Sequence, residues 1–258
     1  MASLLIIDGP GLGTEYELTP SRGESTSETV LGRDPRVDIP LEDNAVSREH
    51  CRIEASYTGF RLTDLDSRNR TYLNNDPVEA CWLKDGDILN IDVTVIVDGW
   101  YGDNSRMYVA GKLSRKAERL INVTHDALMR GIEVVKPGNT FGDIGHAIQT
   151  FAESHRMSVV TDFCGHGVGR VFHAPPNVLH YGRPGTGAVL EPGMFFTIEP
   201  MVNLGRAETK VLADDWTAVT RDKSQSAQFE HSIGLTETGY EIFTESPAGM
   251  FHPTYSQG

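Results

Sequence analysis

Residues 88–103, with the sequence ILNIDVTVIVDGWYGD, carry three acidic side chains in a strongly apolar part of the chain, and two of them matter here. Asp92 stands between Ile91 and Val93, and Asp103 ends the stretch. A carboxylate among apolar residues loses its hydration at a high free-energy cost unless a partner compensates. We therefore interpret Asp92 as part of a cation site rather than as solvated surface.

Three further segments carry side chains that can bind metal ions. They are residues 164–170 (CGHGVGR, with His166), residues 196–203 (FTIEPMVN, with Glu199) and residues 226–231 (SAQFEH, with Glu230). Four carboxylates and one imidazole suit two hard or borderline divalent cations. The three cysteines are too few and too scattered for a cysteine-rich zinc site, so any metal has to be bound by carboxylate and imidazole.

Together these segments resemble the type I methionine aminopeptidases of the pita-bread metallopeptidase group, from Leu83 to about Thr244. The resemblance implies a partial α+β pita-bread domain over residues 83–246, followed by a tail over residues 247–258. It implies an enzyme that removes N-terminal methionine from peptides or nascent proteins with a hydroxide held between two divalent metal ions. The metals would be Co, Mn, Fe, Zn or Ni.

The resemblance also implies a role for each matching residue. Asp92 would bind one metal ion, Asp103 and Glu230 would bridge both, and His166 and Glu199 would complete the second. Glu199 would also act as the general base, and His173 would stabilise the tetrahedral oxyanion. Phe172 and Trp216 would form walls of the pocket for the methionine side chain. The remaining histidines, His180 among them, are interpreted as structural or surface residues.

The first 97 residues show short apolar or alternating runs separated by turn residues, which predicts a β-sandwich. Three turn clusters carry phosphate-binding groups: Gly32-Arg33, the segment from Ser47 to His50, and the segment from Ser67 to Thr71 with Asn74. Arginine, serine and asparagine side chains supply the hydrogen-bond donors that a phosphate monoester needs. If these turns lie at one end of the sandwich, they predict a local anion site.

As a set, these clusters resemble the signature of the forkhead-associated (FHA) domain, over about residues 1–90. The resemblance implies that Arg33 and Ser47 bind the phosphate of a phosphothreonine, and that Arg48 and Asn69 hold the peptide around it. The partner would be a protein that contains phosphothreonine. One departure is Arg70, which stands where the family has a glycine.

Helical patterns occur only after the front segment. Ser114 is a predicted N-cap, and Ala117, Leu120, Ile121, Thr124 and Leu128 form one apolar face after it. A second helix is predicted from the capping-box pair Thr140 and Asp143. The predicted fold class is therefore mixed, with an all-β FHA-like sandwich followed by an α+β metallopeptidase domain.

The resemblance to the peptidases lacks the first stretch of that family, which carries part of the methionine pocket. Two functions stay open on these grounds: an active methionine aminopeptidase recruited by phosphopeptides, and an FHA-type binding protein with a catalytically weak peptidase remnant. The missing stretch is also expected to leave apolar surface uncovered at Leu120 and Ile148. That surface predicts self-association.

The charge of the chain limits its partners. Lys and Arg number 23 against 36 Asp and Glu, so the net charge is −13, which argues against general binding to nucleic acid. Apolar runs are too short for a membrane span, and the first residues lack the basic and apolar regions of a secretory signal. We therefore expect no membrane association and a cytoplasmic location.

Overall fold

The computed structural model describes residues 3–5, 15–17, 26–40, 47–56, 59–67, 71–73, 76–77, 79–83, 86–213, 215, 217–246 and 252–253. The strands before the first helix are β1 (Ser3–Leu5), β2 (Glu15–Glu17), β3 (Thr26–Gly32), β4 (Ile39–Pro40), β5 (Cys51–Ser56), β6 (Gly59–Asp64), β7 (Tyr72–Leu73), β8 (Asp76–Pro77), β9 (Ala80–Leu83), β10 (Ile88–Val97) and β11 (Trp100–Val109). The helices are α1 (Arg115–Glu133) and α2 (Phe141–Ser154).

Short strands make up the rest of the chain. They are β12 (Ser158–Val159), β13 (Gly165–Gly167), β14 (Ala174–Val178), β15 (Phe195–Ile198), β16 (Met201–Asn203), β17 (Thr209–Val211), β18 (Ala218–Thr220), β19 (Ser226–Gln228), β20 (His231–Leu235) and β21 (Tyr240–Ile242). No described helix is long and apolar enough to cross a membrane.

The two helices begin where the sequence predicts. The Ser114 hydroxyl accepts a hydrogen bond from the Ala117 N–H at 3.2 Å, which satisfies a free donor of the first turn of α1. At the start of α2, the Thr140 N–H donates to the Asp143 carboxylate at 2.7 Å, so the predicted capping box is confirmed. The helices approach closely because residue 131 is glycine; a Cβ there would lie 2.6 Å from the Ile148 side chain.

Both helices pack on the strands that follow them and form one large apolar core. Leu120 of α1 and Ile148 of α2 are 0% exposed, and so are Phe196 and Ile198 of β15. The expectation of uncovered apolar surface at Leu120 and Ile148 is therefore wrong. The strands after residue 158 supply apolar side chains that cover this surface.

The core strands belong to two sheets, and two of the crossings that the chain makes between these sheets carry a glutamate. One sheet has the strand order β14-β13-β15-β20-β21 and the other has the order β12-β16-β19. The chain leaves the first sheet after β15 and enters the second at β16, with Glu199 and Pro200 between them. It returns from β19 to β20 through Phe229 and Glu230. Both predicted metal-binding glutamates therefore lie at crossings between sheets.

The described residues before Gly86 form one five-stranded sheet and two two-stranded hairpins, rather than two facing sheets of similar size. The order β4-β3-β5-β6-β9 is antiparallel except for the β3–β4 pair, which is parallel. Its core cluster contains only Ile53 and Ala55 as buried residues, with three partly buried neighbours. The sandwich expected from the alternating runs is thus not seen in this part of the structure.

Candidate metal centre

The hairpin of β10 and β11 positions the first two predicted ligands. Its register places Asp92 opposite Ser105 and Thr94 opposite Asp103. Opposite residues of an antiparallel pair face the same side, and the side alternates with every residue. Asp92, Thr94 and Asp103 therefore share one face, and the Thr94 hydroxyl donates to Asp103 Oδ1 at 2.9 Å.

His166 reaches the same place from β13. Its Nε2 atom lies 3.5 Å from Asp103 Oδ2 and 3.7 Å from Glu199 Oε1. Nδ1 lies 3.1 Å from the Gly167 carbonyl oxygen. A proton on Nδ1 would be donated to that carbonyl, which leaves the Nε2 lone pair directed at the carboxylates and free to bind a cation.

Glycines on both sides of His166 let neighbouring backbones come close to β13. A Cβ at Gly165 would clash with the Thr197 carbonyl oxygen, and one at Gly167 would clash with the Pro175 carbonyl oxygen. The alternation of glycine with His166 in the sequence therefore has a steric cause. The two glycines allow β13, which carries His166, to pack closely between β14 and β15.

Glu199 and Glu230 complete the cluster from the two crossings between sheets. The Glu230 N–H donates to the Ser105 carbonyl at 2.9 Å, which attaches this residue to the hairpin. Ligand atoms of Asp103, His166 and Glu230 all lie within 4.8 Å of one another. Glu199 joins them through its contact with His166. The structure thus brings together Asp92, Asp103, His166, Glu199 and Glu230.

The electrostatics of the cluster favour a bound cation. Loss of hydration raises the pKa of the Glu199 carboxyl to about 7, against a partly opposing hydrogen bond from Thr197. Burial, together with the charges of Glu199, Asp103 and Asp92, raises the pKa of Glu230 well above its ordinary value. The Glu230 Oε1 atom is buried and has no hydrogen-bond partner among the described residues. A divalent cation would supply the missing partner and offset the repulsion, so these residues fit such an ion.

The neighbouring acids also shift the pKa values of Asp92 and His166. Asp92 is exposed as a residue, but its carboxyl group loses part of its hydration beside Asp103, and its pKa rises to about 7. Burial alone would lower the pKa of His166, yet the hydrogen bond to Asp103 and the charge of Glu199 raise it. Protons and metal ions therefore compete for this site.

Two residues that the sequence did not single out hold Glu199 in place. The Thr197 hydroxyl accepts a hydrogen bond from the backbone N–H of His166 at 3.0 Å and donates one to Glu199 Oε1 at 2.8 Å. His180, interpreted from the sequence as structural or surface, is buried and accepts from the Glu199 N–H through Nε2 at 3.1 Å. Burial lowers the pKa of His180 to about 3, so it stays neutral and keeps this acceptor. Neither residue lies in a spacing that sequence patterns reveal.

Two of the residues predicted to contact the substrate, His173 and Phe172, lie beside His166. The His173 ring centroid lies 4.4 Å from that of His166, and the Phe172 centroid lies 5.6 Å from it. Burial and the neighbouring His166 lower the pKa of His173. Trp216, the second predicted pocket wall, lies outside the described residues.

The turns predicted to bind phosphopeptide meet only in part. The Arg33 N–H donates to the Ser47 carbonyl at 2.8 Å, and the Asp34 N–H donates to the Arg48 carbonyl at 2.9 Å. These bonds join main-chain atoms of the turn after β3 to those before β5, so they hold the sheet together whatever the side chains are. Arg33 and Arg48 are exposed, and Asn69 lies outside the described residues.

Comparison with known proteins gives a family. Residues 43–237 match metallopeptidase family M24. The chain is 56% identical to a methionine aminopeptidase from Rickettsia prowazekii over 78% of this chain and 77% of that protein. It is 49% identical to the enzyme of Escherichia coli K12 over 81% of this chain and 79% of that one. The crystal structure of a methionine aminopeptidase from Rickettsia prowazekii superposes with a TM-score of 0.63, at 62% identity, over 64% of this chain and 67% of that chain.

These matches correct the interpretation of the front segment. The M24 match begins at residue 43, inside the stretch assigned to an FHA domain, and relatives named methionine aminopeptidase cover about 80% of the chain. The comparisons indicate no FHA domain, so that resemblance is wrong, and the roles that it implied for Arg33, Ser47, Arg48 and Asn69 and for a phosphothreonine partner lose their support. Polar turn residues are common for local reasons, which explains the false pattern.

The same matches confirm the other resemblance. The structural relatives have the pita-bread fold of the M24 peptidases, and the two crossings between sheets place the glutamates of this chain beside His166 and Asp103. With a matching region of this extent and relatives of this identity, the chain belongs to metallopeptidase family M24 and is a metallopeptidase, a hydrolase.

Proposed function

We propose that this chain is a methionine aminopeptidase that removes N-terminal methionine from peptides or nascent proteins with two divalent metal ions. The observation that carries the proposal is the cluster of Asp103, His166 and Glu230, whose ligand atoms lie within 4.8 Å of one another beside Glu199. The names of the relatives at 49–56% identity support the choice of methionine. We place the metal-binding part of the catalytic domain at residues 83–246, within a family match that extends forward to residue 43, the tail at residues 247–258, and the protein in the cytoplasm.

The ligands would divide between the two ions by position. Asp103 and Glu230 are the most buried acids of the cluster, at 4% and 2% exposure, and they would contribute to holding both ions. Asp92, on the same face of the hairpin, would complete one ion, and His166 with Glu199 would complete the other. When bound, the cations would lower the pKa of an attacking water molecule and polarise the scissile carbonyl.

Glu199 is suited to move the proton in this reaction. Its carboxylate lies beside His166 at the cation site, where it could take a proton from the attacking water molecule and pass it on. The hydrogen bond from Thr197 fixes Oε1, and a weaker contact from the Gln228 amide reaches Oε2 at 3.4 Å. A carboxylate held at both oxygens stays oriented while the proton moves.

His173 and Phe172 would receive the substrate on the open side of the cluster. The lowered pKa of His173 keeps its imidazole neutral at pH 7, and a neutral imidazole still has one N–H to donate to a carbonyl oxygen that gains negative charge. Phe172 is half-buried and offers an apolar surface next to His173. An apolar wall beside a donor suits an N-terminal residue with an apolar side chain.

A comparison of three peptides tests the proposal. The full chain, supplied with Mn²⁺ or Co²⁺, is incubated with Met-Ala-Ser, Leu-Ala-Ser and N-acetyl-Met-Ala-Ser, and free amino acids are measured by mass spectrometry. We expect methionine release from the first peptide only, because the site should require both a free amino terminus and the methionine side chain. Equal release of leucine would contradict the substrate, and cleavage of the acetylated peptide would contradict an aminopeptidase.

A further inference from the structure

We propose that Tyr101 is a positioning residue for the substrate, because its ring holds Phe172 in place beside the metal centre. The inference rests on the proposed function, in which Phe172 contacts the side chain of the N-terminal residue. It adds a residue of the β10–β11 hairpin to the substrate pocket.

The ring geometry supports a direct contact. The Tyr101 and Phe172 rings are stacked, with centroids 5.3 Å apart and planes at 22°. Phe172 in turn lies 3.9 Å from the His173 ring and 5.6 Å from the His166 ring. Tyr101 is thus one ring away from a metal-binding residue, and Phe172 is held between Tyr101 and the two imidazoles.

The register of the hairpin explains why Tyr101 faces the site. Tyr101 pairs with Ile96, while Asp103, two residues further along the same strand, pairs with Thr94. Side chains two residues apart on a strand point to the same face. Tyr101 therefore lies on the metal-binding face, and Trp100 points to the opposite one.

Phe172 belongs to an irregular segment, residues 168–173, between β13 and β14. The hairpin holds this segment at two other points: the Tyr101 N–H donates to the Gly169 carbonyl at 2.8 Å, and Arg170 Nη1 donates to the Asp98 carbonyl at 2.6 Å. The Arg170 guanidinium also lies over the Trp100 ring at 4.3 Å. These contacts fix the segment on the hairpin, and the Tyr101 ring is a contact of the hairpin with the Phe172 side chain itself.

The expected consequence is a change in substrate binding rather than in chemistry. A pocket wall that is already in its bound orientation binds more tightly, because less side-chain freedom is lost on binding. Without the Tyr101 ring, Phe172 gains freedom, and we expect the KM for Met-Ala-Ser to rise about 10-fold, near the upper end for an aromatic pair. The value of kcat should change little, since the metal ligands stay in place.

The experiment uses the full chain with Mn²⁺ and the variants Tyr101→Ala, Tyr101→Leu and Tyr101→Phe, with Tyr240→Ala as a matched control on β21. Steady-state KM and kcat are measured with Met-Ala-Ser. In parallel, fluorine NMR follows Phe172 in protein labelled with fluorophenylalanine, and the signal is assigned from its loss in Phe172→Leu. The NMR reports the environment of Phe172 without any need for turnover.

We expect Tyr101→Ala and Tyr101→Leu to move the Phe172 signal and raise KM, Tyr101→Phe to restore both, and Tyr240→Ala to change neither. Tyr101→Leu keeps apolar bulk, so the test survives if the alanine variant fails to fold. A wild-type protein that releases methionine with the same KM as Tyr101→Leu overturns the inference alone, as does an unmoved Phe172 signal. A wild-type protein that neither releases methionine nor shifts the Phe172 signal on addition of L-methionine overturns the proposed function and this inference with it.

Discussion

Replacing Glu230 with glutamine is expected to abolish tight binding of both metal ions and to lower kcat/KM for Met-Ala-Ser by more than about 100-fold. Groups that only orient metal ligands are typically worth about 10- to 100-fold, and Glu230 is proposed to bind the metals directly. Glu230 is 2% exposed and its Oε1 atom has no hydrogen-bond partner among the described residues, so a bound cation would be its counterpart.

The matched control is Glu208→Gln, which makes the same chemical change at an exposed position. It should retain the metal content and activity of the wild type. Metal content is measured by elemental analysis after removal of excess ion, and activity by methionine release. A Glu230→Gln protein that still holds two ions and cleaves at the wild-type rate would remove Glu230 from the metal centre.

The second large effect is expected in the metal-free protein, where loss of a buried carboxylate should raise the free energy of unfolding. The pKa of Glu199 is raised from 4.5 to about 7 in the folded state. Between these values the folded protein keeps a proton that the unfolded chain has released, so this group lowers the free energy of unfolding as pH rises through that window. Above pH 7 the loss is complete, and a shift of this size corresponds to about 3 kcal/mol.

Glu199→Gln should therefore stabilise the metal-free protein above pH 7, although it should impair catalysis. His180 and His231 complicate the pH profile of either protein alone, since burial lowers the pKa of each to about 3 and their effect on stability runs the other way. They are present in both proteins, so their effect cancels in the difference. The difference in unfolding free energy, from urea titrations with EDTA, should be small at pH 4 and should grow to about 3 kcal/mol at pH 7.5.

Added Mn²⁺ should reverse the order, because an ion that binds only the folded state stabilises it and the wild type binds the ion more tightly. A metal-free Glu199→Gln protein that is less stable than the wild type at pH 7.5 would show that the buried Glu199 carboxylate does not lower the free energy of unfolding.

The five proposed metal-binding residues could be picked out from the sequence because they lie in distinctive local strings. An acid in an apolar stretch, such as Asp92, or an imidazole between glycines, such as His166, can be recognised without knowledge of what lies nearby in space. The helix starts at Ser114 and Thr140 were predictable for the same reason, since capping depends on residues three positions apart.

What the sequence could not show are contacts between distant segments. Thr197 links His166 to Glu199, and Tyr101 stacks on Phe172, only because the sheets bring them together. The FHA prediction for the front segment was wrong because its pattern is common rather than distinctive. Turns rich in arginine, serine and asparagine occur in many folds, so Arg33 and Ser47 resembled a phosphate site whose supporting structure is not present in the described residues.

Metal dependence of methionine release tests the central claim most directly. The full chain is stripped with EDTA, dialysed and titrated with Mn²⁺ at neutral pH, while the initial rate of methionine release from Met-Ala-Ser is measured at each addition. We predict no release from the stripped protein, and activity that returns with added Mn²⁺ and saturates with two ions bound per chain. Methionine release at the full rate from protein shown to be free of metal would contradict the account.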